Sequence, residues 1–118
     1  MKGLGPGARL GFALRGLADA WRTEFTFRVQ VAAAVAAAAV TAAVRPGPSW
    51  IAAIALAIGV VLAAELFNTS LEHALDGLHP EHAQFVRMAK DCAAAAVLVL
   101  SVTSVVVFVA MLADVLGR

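Results

Sequence analysis

Four polar side chains lie at and just beyond the end of an apolar stretch, in the segment AAELFNTSLEHALD at positions 63–76. With Glu65 as the origin and 100° per residue, the other three fall at about −60°, −20° and +20° on a helix: Asn68, Glu72 and Asp76. All four therefore share one helix face. Ionised carboxylates next to hydrocarbon are costly, so they normally face a bundle interior or a water-filled cavity and mark a functional site.

Carboxylates that lie close together support two kinds of chemistry. They bind divalent cations through oxygen ligands, and one of them can accept a proton from an attacking hydroxyl. The segment RMAKDCAAAA adds Lys90 and Asp91 just before the last apolar run. A lysine beside acidic metal ligands suits a triphosphate, because the ammonium group neutralises phosphate oxygens while Mg²⁺ bridges them. These residues favour phosphoryl transfer. There are two alternatives. One is a non-catalytic membrane subunit in which the polar stripe packs helices or binds an ion, and the other is a proton-coupled transporter.

Glu24, in the segment WRTEFTFR, lies near the predicted start of the first membrane span. It either joins the acidic group or is an interface carboxylate paired with Arg22 or Arg28. The residues alone leave these two interpretations equal.

The histidines and the single cysteine give weaker signals. His79 and His82 have the spacing of a metal-binding pair, but a zinc site needs three or four ligands and this segment is predicted to be a loop. His73 falls about 80° from Glu65 on the helix and is predicted to be exposed to solvent. Cys92 is predicted to be a buried thiol without a redox or metal role.

Composition places these residues in a membrane protein. Of the 118 residues, 62% are hydrophobic and only 14% are charged, and the mean hydropathy is +0.88, whereas soluble domains have about 25% charged residues. The formal net charge of +1 is too small to suggest a nucleic acid partner. A chain of this size predicts one domain over residues 1–118, whose site is built from a few helices and completed by neighbouring copies.

The apolar pattern predicts an all-α integral membrane protein with three spans and one amphipathic surface helix. Residues 9–22 carry leucines and Trp21 on one face, which is typical of a helix that lies on a membrane surface. Spans are predicted at about 26–44, 50–70 and 92–112. The segment RPGPS predicts a turn with Ser49 as the next N-cap, and residues 1–8 predict a mobile tail.

The distribution of lysine and arginine predicts the orientation. Seven lie in the N-terminal segment and the 69–91 connection, whereas only Arg45 and Arg118 lie on the other side. The positive-inside rule then places the N-terminus and the acidic segment in the cytoplasm, at an inner membrane that faces ATP and Mg²⁺.

The motif ELFNTSLEHALD, followed later by AKD, resembles the signature E-x-x-N-[ST]-x-[IL]-E-x-x-x-D of the prokaryotic diacylglycerol kinase family, which includes undecaprenol kinases. The resemblance extends from the segment ALRGLADAWRTEFTFR to the third span. It implies a homotrimer whose active sites are shared between neighbouring chains and transfer the γ-phosphate of ATP to a lipid hydroxyl with Mg²⁺.

The resemblance also implies roles for single residues. Glu65 corresponds to the general base, and Glu24 and Glu72 correspond to the carboxylates that hold Mg²⁺ on the nucleotide. The remaining positions that it places near the nucleotide are Phe12, Asn68, Asp76, Glu81, Lys90 and Asp91.

Two departures from the family pattern are visible. The basic residue that some members carry early in the surface helix aligns near Gly5, so neither Lys2 nor Arg9 takes its role. Val29 and Gln30 stand where the diacylglycerol-specific enzymes have a Gln-Glu pair, which favours undecaprenol over diacylglycerol as the lipid.

Overall fold

Four α-helices make up the chain in the computed structural model, which describes residues 3–118. Their bounds are α1 Pro6–Thr23, α2 Phe25–Val44, α3 Pro48–Leu78 and α4 Gln84–Leu116. The helices α2, α3 and α4 are long and apolar enough to cross a membrane, which confirms the all-α class and the three predicted spans. At 1.5 Å per residue they are about 30, 46 and 50 Å long, so α3 and α4 exceed the roughly 30 Å hydrocarbon core.

The predicted surface helix exists as α1 and is longer than predicted at its N-terminus. It begins at Pro6, because a proline at the first helical position has its φ preset and loses no hydrogen bond. The prediction of a tail over 1–8 is therefore wrong for residues 6–8, and residues 1 and 2 lie outside the described part of the chain. Leu10, Leu14 and Trp21 are exposed in the single chain, and the location of α1 on the membrane surface stays a prediction.

A sharp corner at Glu24 separates α1 from α2. The backbone of Glu24 is extended (φ −116°, ψ 106°), its N–H donates to Ala20 O at 2.9 Å, and its carbonyl accepts from Arg28 N at 3.3 Å. The Arg28 guanidinium donates to Trp21 O at 2.6 Å and to Arg22 O at 3.4 Å. Because the last carbonyls of a helix lack intrahelical partners, Arg28 stabilises the end of α1 and so fixes the corner.

The turn between α2 and α3 differs from the prediction in its cap. Arg45 ends α2 in the left-handed region (φ 51°), and Gly47 is the N-cap of α3, with Pro48 in the first turn and no side-chain cap. The prediction of Ser49 as the cap is wrong, because Pro48 already starts the helix one residue earlier.

The helices α3 and α4 extend past the predicted membrane ends, so the connection predicted over 69–91 shrinks to residues 79–83. The leucines at 71, 75 and 78 keep helical spacing beyond the apolar run, and Pro80 lies just after the end of α3. The four polar residues Glu65, Asn68, Glu72 and Asp76, called the acidic stripe from here on, therefore lie on one continuous helix. Cys92 is exposed, so its predicted burial is wrong: no helix of the same chain covers it.

Packing between α3 and α4 forms most of the core, with Ile54, Val61, Val86 and Met111 buried. At the end where α3 begins and α4 finishes, Trp50 Nε1 donates to Asp114 Oδ2 at 2.8 Å, and Arg118 Nη2 lies at 2.8 Å from the same oxygen. This contact joins the two helices at the end opposite Glu65.

Candidate active site

Glu65 is the most buried charged residue of the described chain, with 3% exposure. It lies on α3 against the first turn of α2, where Thr26 Oγ1 donates to Glu65 Oε2 at 3.4 Å. No lysine, arginine or histidine within residues 3–118 forms an ion pair with it. Within residues 3–118 its Oε1 has no hydrogen-bond partner, and an unpartnered carboxylate oxygen is the type of atom that can accept a proton from a hydroxyl.

Asn68 and Glu72 follow Glu65 on the same helix face and contact each other. Asn68 Nδ2 donates to Glu72 Oε1 at 3.4 Å, which confirms that the predicted stripe is continuous here. Asn68 Oδ1 is buried and has no hydrogen-bond partner in the described residues. Buried polar atoms are nearly always satisfied, so an orphan oxygen beside a carboxylate indicates a missing donor or cation.

Glu24 points toward α3 rather than toward the arginines that flank it. Arg22 pairs with Asp19, and Arg28 is bound to the carbonyls at the end of α1, so the alternative of an ion pair with either arginine is wrong. Glu24 Oε1 instead lies 3.3 Å from His73 Nε2. The corner between α1 and α2 thereby brings Glu24 to the helix that carries Glu65 and Glu72.

Lys90 and Asp91, predicted together, take different partners. Lys90 Nζ lies 2.5 Å from Asp76 Oδ1, so α4 contributes its lysine to the acidic face of α3. Asp91 Oδ2 accepts from Arg87 Nη1 at 2.6 Å, one turn earlier on α4, in an exposed pair. The lysine is thus joined to the stripe, and Asp91 lies beside a second cation that the sequence analysis did not single out.

The two remaining predicted positions lie on other elements. Glu81 is exposed in the 79–83 connection, where its Oε2 lies 3.3 Å from His79 Nδ1. Phe12 is half-buried on α1, and the Arg15 guanidinium carbon lies 5.5 Å from the centre of its ring. Within the described chain, no hydrogen bond or ion pair links Glu81 to the stripe on α3.

The side-chain oxygen atoms of Glu24, Asn68 and Glu72 are of the type that binds a magnesium ion carried by a nucleotide. Within residues 3–118, no group of three or more His, Cys, Asp or Glu side chains is close enough to hold a metal alone. Mg²⁺ is usually bound by one or two carboxylates together with substrate phosphates and water. Glu24, Glu72 and the orphan Asn68 Oδ1 supply that kind of donor set.

Two contacts at this site were not predicted. Thr26 is the hydrogen-bond donor to Glu65, and His73 is the partner of Glu24. The position of His73 next to Glu72 was visible in the sequence. The partner of Glu24 was not, because it depends on how the corner at Glu24 packs against α3.

Comparison with known proteins agrees with the motifs. Residues 11–112 match the family model for prokaryotic diacylglycerol kinase. An undecaprenol kinase from Bacillus subtilis is 36% identical over 93 residues, which cover 79% of this chain and 76% of that protein. A diacylglycerol kinase from Synechocystis sp. is 31% identical over 97 residues, covering 81% of this chain but only 55% of that protein. The family and the two names indicate a lipid kinase. The chain belongs to the prokaryotic diacylglycerol kinase family.

Proposed function

We propose that this chain transfers the γ-phosphate of ATP to the hydroxyl of a membrane lipid, with Mg²⁺ on the nucleotide. One observation carries the proposal: Glu65 is 3% exposed and forms no ion pair within residues 3–118, at the point where the acidic stripe meets the apolar part of α3. Burial of an uncompensated carboxylate costs stability, and such groups are retained at functional sites.

Glu65 acts as the general base in this proposal. The Thr26 hydroxyl occupies Glu65 Oε2, which restricts rotation of the carboxylate and leaves Oε1 for the lipid hydroxyl. As the hydroxyl oxygen attacks the γ-phosphorus, its proton moves to Oε1, and the bond from the γ-phosphorus to the ADP oxygen breaks. Most of the rate comes from positioning and charge stabilisation.

The nucleotide lies on the more exposed part of the stripe. Glu24 and Glu72, with Asn68 Oδ1, would hold Mg²⁺, which supplies charge neutralisation on the phosphate oxygens. Lys90, kept near the stripe by Asp76, adds a second positive charge for these oxygens. The other residues assigned to ATP by family resemblance are Phe12, Glu81 and Asp91.

A cavity of about 450 Å³ between α2, α3 and α4 supports a lipid as the acceptor. Val61 and Leu62, which line it, lie one helical turn from Glu65, and Gln30 lies one turn from Thr26. The rest of the lining is mostly alanine, valine and isoleucine, with Phe108 and the two serines Ser101 and Ser104. A hydrocarbon tail next to this lining leaves the hydroxyl at the depth of Glu65, so the lipid need not leave the bilayer.

The favoured lipid is undecaprenol, with diacylglycerol next. Val29 and Gln30 replace the Gln-Glu pair of the diacylglycerol-specific enzymes that the chain resembles. The Gln30 amide donates to Ser101 Oγ at 2.9 Å, so its polar group is engaged within the chain rather than left for a glycerol ester.

Neighbouring copies of the chain complete the site, as a homotrimer by family resemblance. Asn68 lines a second cavity of about 640 Å³ between α3 and α4, whose other walls are mostly alanine and leucine. Small residues allow close packing of helix backbones in a membrane. A helix of a second copy in this groove would lie beside Asn68. The lysine and arginine distribution supports a site on the cytoplasmic side.

The test is incubation of the detergent-solubilised protein with radiolabelled ATP, Mg²⁺ and either undecaprenol or diacylglycerol. We expect labelled lipid that depends on Mg²⁺, with undecaprenol labelled faster. Absence of label in both lipids would contradict the kinase proposal and favour a non-catalytic membrane subunit. Faster labelling of diacylglycerol would contradict only the choice of lipid.

A further inference from the structure

The carboxylate of Glu24 has one polar side-chain partner within residues 3–118, and that partner lies on another helix. Its backbone is extended at the corner between α1 and α2, so no helix fixes its direction. Its neighbours Arg22 and Arg28 are bound elsewhere. Within residues 3–118, the single side-chain contact of Glu24 is that with His73, at 3.3 Å.

His73 is well placed to control this carboxylate. An ionised carboxylate only accepts hydrogen bonds, so the contact assigns a proton to His73 Nε2. His73 is adjacent to Glu72 on α3, so one imidazole ties the corner that carries one proposed Mg²⁺ ligand to the helix that carries the other. Without it, no hydrogen bond or ion pair of a side chain within residues 3–118 holds the Glu24 carboxylate against α3.

We propose that His73 is a positioning residue, which holds the Glu24 carboxylate beside Glu72 for the nucleotide-bound divalent cation. The inference rests on the proposed function, because it takes Glu24 and Glu72 as the ligands. His73 contributes through Glu24 and does not itself touch the cation or the phosphates. Residues that orient metal ligands typically change metal affinity by about 10- to 100-fold when they are removed.

The expected effect lies at the lower end of that range, because the His73 side chain is 60% exposed and water can replace part of the contact. We expect His73→Ala to weaken cation binding by about 10-fold. His73→Gln keeps an N–H donor at similar reach and should recover most of the affinity, whereas His73→Leu should not. His82→Ala is the matched control, because His82 is an exposed histidine in the 79–83 connection.

The measurement is the dissociation constant of Mn²⁺ by electron paramagnetic resonance, on the full chain in detergent with a non-hydrolysable ATP analogue. We expect wild-type binding in His82→Ala, weakened binding in His73→Ala and His73→Leu, and near wild-type binding in His73→Gln. In the kinase assay, the apparent KM for Mg²⁺ should rise, while kcat at saturating Mg²⁺ changes much less.

The Glu24→Gln variant separates this inference from the function on which it rests. If Glu24→Gln weakens Mn²⁺ binding and His73→Ala does not, the positioning role is wrong and the role of Glu24 stands. If Glu24→Gln also binds normally, the assignment of Glu24 as a ligand is wrong. The double variant should bind no more weakly than Glu24→Gln alone, and a further loss in it would show that His73 acts directly rather than through Glu24.

Discussion

The two ends of the helix bundle differ in how fully their carboxylates are paired. At the end where α3 begins and α4 finishes, Asp114 is the single acidic residue, and both the Trp50 indole and the Arg118 guanidinium contact the same carboxylate oxygen. At the other end, Glu65 has one weak contact from a hydroxyl, and Asn68 Oδ1 has no partner in the described chain. The first end has its carboxylate paired. The second end pairs Asp76 and Asp91 with cations but leaves Glu65 without an ion pair in the described residues.

This difference separates a structural contact from a site. A carboxylate that is paired on an exposed surface joins helices and changes the free energy of unfolding only slightly. A carboxylate without an ion-pair partner beside hydrocarbon destabilises the chain, and a bound cation or a hydroxyl of a substrate can supply the missing partner. Changes at the Glu65 end should therefore affect activity more than folding, and changes at the Asp114 end should do the reverse.

The largest effect is expected from Glu65→Gln. The amide keeps the size of the side chain but cannot take a proton from the lipid hydroxyl, so kcat should fall roughly 10³-fold. The KM for ATP should stay close to that of the wild type, because Glu65 does not contact the nucleotide in this account. The measurement is steady-state kinetics in mixed micelles, and a kcat near that of the wild type would remove Glu65 from the role of base.

A smaller effect is expected from Glu72→Gln. Loss of one of two anionic ligands should weaken the apparent affinity for Mg²⁺ by on the order of 10²-fold, and high Mg²⁺ should recover part of the activity. The measurement is a Mg²⁺ titration at constant ATP, with Asp19→Asn as a control on an exposed carboxylate of α1. Equal Mg²⁺ curves for Glu72→Gln and the wild type would mean that the stripe does not hold the cation.

Thr26→Val should have a modest effect. Valine has nearly the shape of threonine but cannot donate to Glu65, so the carboxylate loses one hydrogen bond of about 0.5–1.5 kcal/mol and kcat should fall by roughly 2- to 10-fold. Thr103→Val is the matched control, since Thr103 bonds only to a carbonyl of its own helix. A kcat for Thr26→Val equal to that of the control would show that this contact does not orient the base.

The smallest effect on activity is expected from Asp114→Ala. The substitution removes the contacts of Asp114 with Trp50 and Arg118, so the thermal midpoint in detergent should fall, while kcat/KM stays within about twofold because distant sites act independently. The measurement is thermal unfolding followed by the lipid kinase assay on the same preparation. A large loss of activity without a loss of stability would mean that the two ends are not separate.

Much of the fold follows from the sequence because hydrocarbon imposes a simple rule. A chain in lipid must satisfy its backbone hydrogen bonds internally, so long apolar runs become helices, and three spans were predictable from length and composition. The residues at which the helices end were less predictable. Helix α3 continues past the predicted end of its span because the leucines at 71, 75 and 78 keep helical spacing among polar residues, a local signal outside the apolar windows.

The site was predictable where it lies on one helix and less so where elements meet. The contact between Asn68 and Glu72 follows from a spacing of four residues on α3. The contact between Glu24 and His73 joins residues 49 positions apart and requires a corner whose packing no periodicity specifies. For the same reason the residues alone left an arginine partner for Glu24 as an open alternative, whereas in the structure Arg28 stabilises the end of α1.

The most direct test of the account compares the two ends in one assay. Transfer of label from radiolabelled ATP to undecaprenol is measured for the wild type, Glu65→Gln and Asp114→Ala, each at a temperature below its own thermal midpoint. We expect labelled lipid from the wild type and from Asp114→Ala at similar rates, and almost none from Glu65→Gln. Labelled lipid from Glu65→Gln at the wild-type rate would mean that Glu65 is not the general base.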